Sequence, residues 1–171
     1  MGDSVSSDWF QKIDVDPSPS MFWKEDKDPM QPREWGELVH QILSTVQTPS
    51  DMDSALSPYL LDGTMNADTS NMLKDKFMQM VQHPEIGEAF SDRAKVKNEC
   101  DILFNGEIIR PDRYAELSEV IYLLDYKTGR KEEEHKLQIQ RYANALRELT
   151  NKKIRAYLVY LAETEIEVEP S

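Results

Sequence analysis

The chain has 171 residues, enough for one domain with a sizeable core, and 39% hydrophobic and 30% charged residues are ordinary for a globular protein. A single cysteine, Cys100, excludes a disulfide framework and a four-cysteine zinc or iron–sulfur site, and no apolar run approaches the ~18 residues of a membrane span. The net charge of −12 argues against general nucleic-acid binding, which leaves a basic footprint.

That charge is unevenly spread. Acidic residues concentrate in the N-terminal arm, in Glu132-Glu133-Glu134 and at the C-terminus, whereas Arg110, Arg113, Lys127, Arg130, Lys131, Lys136 and Arg141 gather positive charge in one stretch. Residues 1–33 are rich in Ser, Asp and Pro and lack periodicity, which reads as a linker or arm of a longer polypeptide or as a disordered tail. Trp9, Phe10, Met21, Phe22 and Trp23 would pin such an arm to a surface. The N-terminus has neither the basic nor the apolar region of a secretory signal, and its short match to the N-myristoylation pattern is of a kind that arises by chance. With the lone cysteine, this fits a cytoplasmic protein.

The pattern is helical from Glu34 to about Val46, where Trp35, Leu38, Val39, Ile42, Leu43 and Val46 form one apolar stripe. Gly36 lies inside it, at a cost of ~1 kcal/mol against Ala, and His40 follows one turn later. Either Gly36 clears space and His40 points at a site, or His40 is a surface residue; spacing alone favours the second. Residues 48–93 read as a helical insert of two or three helices, with Ser50 or Asp51 and then Asp68 or Thr69 as caps, and a short helix from Pro84 through Ala89. Met72, Phe77, Met78, Met80 and Val81 are expected to pack a core.

Strands are expected at roughly 96–104, 107–116 and 120–127, the last the most buried because of its Val120-Ile-Tyr-Leu-Leu124 run. A helix over about 133–149, a strand over 154–161 and a short edge strand or tail over 165–169 complete the chain. The order is helix, three-stranded antiparallel meander, helix, strand: a mixed α/β layer with a helical crossover.

The meander carries the chemistry. Asn105-Gly106 is a strong hairpin signal, because both residues tolerate the positive φ of a type I′ turn. A two-residue turn pairs Phe104 with Glu107, and counting outward sets Glu99 opposite Asp112. A connection at Ser118-Glu119 pairs Leu117 with Val120 and sets Asp112 opposite Asp125. Facing residues lie ~5 Å apart at Cβ, and Lys127 shares the face of Asp125. Three carboxylates in a row are costly unless a cation neutralises them, which points to a metal site beside a lysine. A one-residue slip at the second turn would undo this.

Asp125-Tyr-Lys127 after an apolar run, with Arg-Pro-Asp112 one strand earlier, resembles the PD-(D/E)XK nuclease superfamily. Gly36-Glu-Leu-Val-His40 is similar to the Gly-x-x-x-His motif of RecB-type nucleases, Gln138-Ile-Gln-Arg-Tyr142 to their Gln-x-x-x-Tyr motif, and Asp125-Tyr-Lys-Thr-Gly to their Asp-Tyr-Lys-Thr-Gly form. Four motifs in this order span residues 35–162, and their variants look most like the C-terminal nuclease domain of AddA- or RecB-type helicase–nucleases. The resemblance implies a restriction-endonuclease-like core with an extra N-terminal helical region, over residues 34–171. It implies a metal-dependent DNA exonuclease in double-strand break repair or recombination. His40, Asp112, Asp125 and the Tyr126 backbone carbonyl would hold Mg²⁺ or Mn²⁺, with no iron–sulfur cluster. Asp112, Asp125, Lys127, Gln138 and Tyr142 would form the catalytic set, Lys127 orienting or deprotonating water. Glu99 is added from register as a further ligand or a supporting residue behind the ligands. Arg113, Tyr114, Arg130, Lys131 and Arg141 are the candidates for contacting DNA, expected as single-stranded ends. No Gly-x-x-x-x-Gly-Lys-Ser/Thr loop is present, so helicase domains of the same polypeptide or complex are the expected partners.

Two other functions fit the same residues. A RecB-like fold without catalysis would serve as a DNA-clamping or partner-docking module, although every motif position here carries the expected residue. A free-standing nuclease of phage-exonuclease or restriction type is the third reading.

Overall fold

The computed structural model describes residues 30–162 and 165–171; the arm aromatics Trp9, Phe10, Met21, Phe22 and Trp23 lie outside them. Helix α1 (Pro32–Ser44) starts two residues before the expected Glu34, because Pro32 suits a first helical turn whose N–H groups are unpaired anyway. Glu34 Oε2 accepts a bond from the Gln31 amide at 2.9 Å and closes that end. The helix stops at Ser44, yet Val46 beyond it is still buried.

The helical insert consists of α2 (Met52–Leu61) and α3 (Ala67–Gln82). Asn66, not Asp68 or Thr69, caps α3: its Oδ1 accepts from the Thr69 amide at 2.8 Å. Asp51 binds the amides of Gln47 and Thr48 in the turn before α2 instead of capping that helix. A single 3₁₀ turn, Gly87–Phe90, stands where a helix from Pro84 is expected. Phe77 and Met80 are buried as the pattern requires, whereas Met78 is exposed.

The two long strands expected on either side of Asn105-Gly106 are each broken in two. They form β1 (Lys95–Asn98), β2 (Ile102–Phe104), β3 (Glu107–Ile109) and β4 (Arg113–Glu116). Asn105 and Gly106 both have positive φ, at 49° and 80°, as a primed turn requires. The break falls where Glu99 enters the left-handed region at φ 47° and where Pro111 has no N–H to give to a ladder. Register survives it: Phe104 faces Glu107 and Asn98 faces Arg113, with the same count on both sides. The result is a separate β2–β3 ribbon that extends from the main sheet.

That sheet has the order β1-β4-β5-β6-β7, with β5 (Val120–Lys127) at its centre. β4 and β5 are antiparallel with Arg113 facing Leu124, and the Leu117 amide bonds the Val120 carbonyl at 2.9 Å, so the second turn holds the expected register. Helix α4 (Glu133–Leu149) crosses over to β6 (Lys153–Leu161), which is parallel to β5, and β7 (Ile166–Pro170) closes the edge antiparallel to β6.

Alternation along β5 divides the core. Tyr122, Leu124 and Tyr126 face α1–α3, while Ile121 and Leu123 face α4 with Ile139, Tyr142 and Leu146. Two features seat α1 on its side. Asn98 Nδ2 bonds the Ser44 and Val46 carbonyls, each at 2.9 Å. Its facing partner Arg113 bonds the Val46 and Gln47 carbonyls at 2.8 and 2.5 Å and the Ala89 carbonyl at 3.1 Å. Among the described residues, no helix is long and apolar enough to cross a membrane.

Candidate metal and catalytic centre

The end of β5 lies where both helical layers reach the sheet. Asp125 and Lys127 alternate onto the α4 side, and Asp112, just before β4, joins them across the strand pair. Asp112 Oδ2 accepts the Tyr126 amide at 2.6 Å, and its Oδ1 lies 3.2 Å from His40 Nδ1 on α1. One carboxylate thus ties the sheet to the first helix.

His40 reaches this point because Gly36 lets α1 come close: a Cβ at Gly36 would stand 2.9 Å from Thr128 Oγ1, in the loop that follows β5. Gly36 thus clears space against Thr128, and His40 is half-buried with its Nδ1 on Asp112 instead of standing free on the surface. Thr128 stands in the Asp-Tyr-Lys-Thr-Gly stretch without a role assigned from sequence, and the hold of Asn98 on α1 carries no sequence signal.

On the other side, Lys127 Nζ lies 2.6 Å from Asp125 Oδ2 and donates to Gln138 Oε1 at 3.1 Å. Gln138 Nε2 in turn donates to the Tyr142 hydroxyl at 2.9 Å, one helical turn along α4. Lys127, Gln138 and Tyr142 form one chain whose order fixes the ammonium against Asp125.

Burial and neighbouring charges shift the protonation of the groups at this end of β5. Burial pushes the Asp125 carboxyl up to about 6, the Asp112 charge adds to this, and Lys127 only partly offsets it. Burial acts to lower His40, but its bond to Asp112 and the charges of Asp112 and Asp125 outweigh that and leave it raised. Burial and the Asp125 charge raise the Tyr142 hydroxyl.

The donor set suits a hard divalent cation. Among the described residues, the buried Asp125 Oδ2 has Lys127 Nζ, at 2.6 Å, as its partner. His40, Glu99 and Asp112 each bring a ligand atom within 4.8 Å of the others. Carboxylates and one imidazole, with no thiolate among them, are the ligands Mg²⁺ and Mn²⁺ take. Asp125 stands outside that triplet, although it feels the charges of Asp112 and His40.

The basic residues expected to touch DNA divide more sharply. Arg113 is a correction: it is fully buried, spent on three carbonyls and stacked 4.3 Å from the Phe90 ring centre. Such a guanidinium cannot meet a phosphate. Tyr114 packs with Ile102 and Phe104 against the α4 cluster, and burial lifts its hydroxyl to about 12. Lys131 is taken by Glu167 and Glu169 at 2.5 Å each, and Arg141 lies 3.8 Å from Glu107. Arg130 is exposed beyond β5.

A mixed sheet with β5 at its centre, helices on both faces and acidic residues beside a lysine at one strand end defines a nuclease-type α/β core. The PD-(D/E)XK nuclease superfamily model matches residues 19–170, and the chain belongs to that superfamily. No curated protein matches it. Among solved structures, the crystal structure of SSO0001 is similar at 14% identity and a TM-score of 0.32, over 77% of this chain. The chain spans 65% of that structure's length.

Proposed function

We propose that this chain is a metal-dependent deoxyribonuclease that degrades DNA from its ends, the nuclease module of a helicase–nuclease acting in double-strand break repair or recombination. The observation that supports it most is the meeting of His40, Asp112, Asp125 and the Lys127–Gln138–Tyr142 chain at one strand end. Family membership points to the same chemistry.

His40, Asp112, Asp125 and the Tyr126 carbonyl would hold Mg²⁺, for which Mn²⁺ would substitute. A divalent ion there supplies Lewis-acid activation of a water and offsets charge on the phosphate. The protein's own residues do the rest. Lys127, held by Asp125 and Gln138, orients the attacking water and stabilises charge developing on the phosphate oxygens. Water attacks phosphorus as its proton passes to solvent, the bridging P–O bond breaks in line, and the departing deoxyribose oxygen takes a proton from solvent to leave as a hydroxyl. Asp112, bound to the Tyr126 amide and to His40, keeps α1 and β5 in register around the reacting phosphate. Arg130, Lys131, Arg141 and Tyr114 remain the candidates for guiding the strand. The net charge of −12 and the absence of a phosphate-binding loop favour a helicase partner that supplies grip and motion.

Matched linear and covalently closed single-stranded DNA, incubated with the domain and Mg²⁺ or Mn²⁺, test the proposal. Loss of the linear strand with the circle spared is the expected result. Cutting of the circle would replace the exonuclease with an endonuclease, and metal binding with neither strand cut would favour a docking module.

A further inference from the structure

Glu99 belongs to none of the motifs that define the family resemblance, yet three independent features of the fold lead to it. Its amide donates to the Asp112 carbonyl at 3.0 Å, which sets the two side chains opposite one another at the root of the β2–β3 ribbon. A carboxylate oxygen of Glu99, just after β1, lies within 4.8 Å of ligand atoms of both Asp112, just before β4, and His40 on α1. And the carboxylate is idle: it is exposed and makes no hydrogen bond or ion pair with any described residue. Arg110, which feels the Glu99 charge, is itself bound to Asp101 at 2.5 Å.

An idle carboxylate beside two others needs a reason to stay there. Its backbone gives no help, since φ of 47° suits Gly or Asn better than a residue with a long side chain. The buried Asp125 is already held by Lys127 at 2.6 Å, whereas within ligand distance, among the described residues, Glu99 and Asp112 have only His40 to offset their two carboxylates. Two atoms bound to one Mg²⁺ or Mn²⁺ at about 2.1–2.3 Å lie at most about 4.5 Å apart, so the observed separations need only small side-chain movement.

We propose that Glu99 is a direct ligand of the divalent cation, completing with His40 and Asp112 a position on the α1 side of the centre. This rests on the nuclease reading of the site and adds to it a ligand supplied by the ribbon's root. The ribbon then becomes part of the metal's surroundings, so cation binding also fixes its angle to the sheet.

Calorimetric titration of the metal-free domain with Mn²⁺, paired with melting in EDTA, separates the outcomes. Glu99→Gln is expected to weaken Mn²⁺ about tenfold or more while melting in EDTA stays as in wild type. Glu99→Asn shortens the side chain and suits the left-handed backbone, so it is expected to raise melting in EDTA and still weaken Mn²⁺. Opposite signs in one variant are something a purely structural Glu99 would not produce. Wild-type Mn²⁺ affinity in Glu99→Gln, with affinity lost in Asp112→Asn, would overturn the inference and leave the nuclease reading standing. No Mn²⁺ binding by wild type would overturn both.

Discussion

Asp125 pays for its place in the centre with a proton. Its folded pKa of about 6 lies above an unfolded value of 3.8, so the metal-free folded state holds the proton more tightly than the unfolded one. The stability this contributes is fully present below about 4 and is lost as pH rises through about 6, a step of roughly 3 kcal/mol. His40, also raised, acts in the same direction: its contribution is present below its unfolded pKa and lost as pH climbs through the folded one. Denaturant unfolding in EDTA is therefore expected to show stability falling between pH 4 and 7, and Asp125→Asn to remove most of that slope. A flat wild-type profile would contradict the burial argument. Lys127 has a different role. Its removal in Lys127→Ala is expected to cut strand cleavage by about 10²–10³-fold while Mn²⁺ binding, read by calorimetry, persists. Much of this was legible in the sequence, because antiparallel register is arithmetic: counting from Asn105-Gly106 sets Glu99 opposite Asp112, and the Leu117–Val120 closure sets Asp112 opposite Asp125. Arg113 was not. The alternation that turns Asp112 toward the site turns Arg113 to the other face, under α1, but residue type alone suggested a surface cation.

Among the elements, α1 decides whether the centre exists. Its C-terminal end is held by Asn98 and Arg113, and its N-terminal half passes Thr128 at a glycine. Asn98→Ala leaves the Ser44 carbonyl without its partner and weakens the hold on Val46, so a loss of about 1–3 kcal/mol in chemical denaturation is expected. Gly36→Ala gains helix propensity of up to about 1 kcal/mol yet places a methyl against the Thr128 hydroxyl. Little net change in stability is expected, with Mn²⁺ affinity reduced because His40 moves; Thr128→Ala in the same chain is expected to restore it. Failure of that rescue would mean that Gly36 matters for another reason. The helix itself was readable from its stripe, but its seat was not, since side-chain bonds to its last carbonyls come from strands more than fifty residues away. The split of the long hairpin was hidden for a related reason: Pro111 is a visible marker, whereas a glutamate with positive φ carries no signal.

For the molecule as a whole, charge is managed by pairing. Lys131 with Glu167 and Glu169, Arg141 with Glu107, and Arg110 with Asp101 each oppose a basic residue near the centre with an acid. The domain alone therefore has few cations to offer a phosphate chain. Its binding to single-stranded DNA is expected to be feeble and to fall with salt at a slope near −1 in log K against log concentration, about what one or two phosphate contacts give. A slope of −4 or steeper would show that the pairs open to form a basic track. Overall acidity was plain in the composition; its pairing required the fold, because β7 meets the loop after β5 only through the sheet. The account as a whole turns on metal-dependent cleavage at the end of β5. The most direct measurement is release of acid-soluble nucleotides from linear single-stranded DNA by wild type, Asp125→Ala and Lys127→Ala, with Mg²⁺ or Mn²⁺ and with EDTA. Release by wild type alone, abolished by EDTA, is the result predicted. Equal release by Asp125→Ala, or release that survives EDTA, would contradict it.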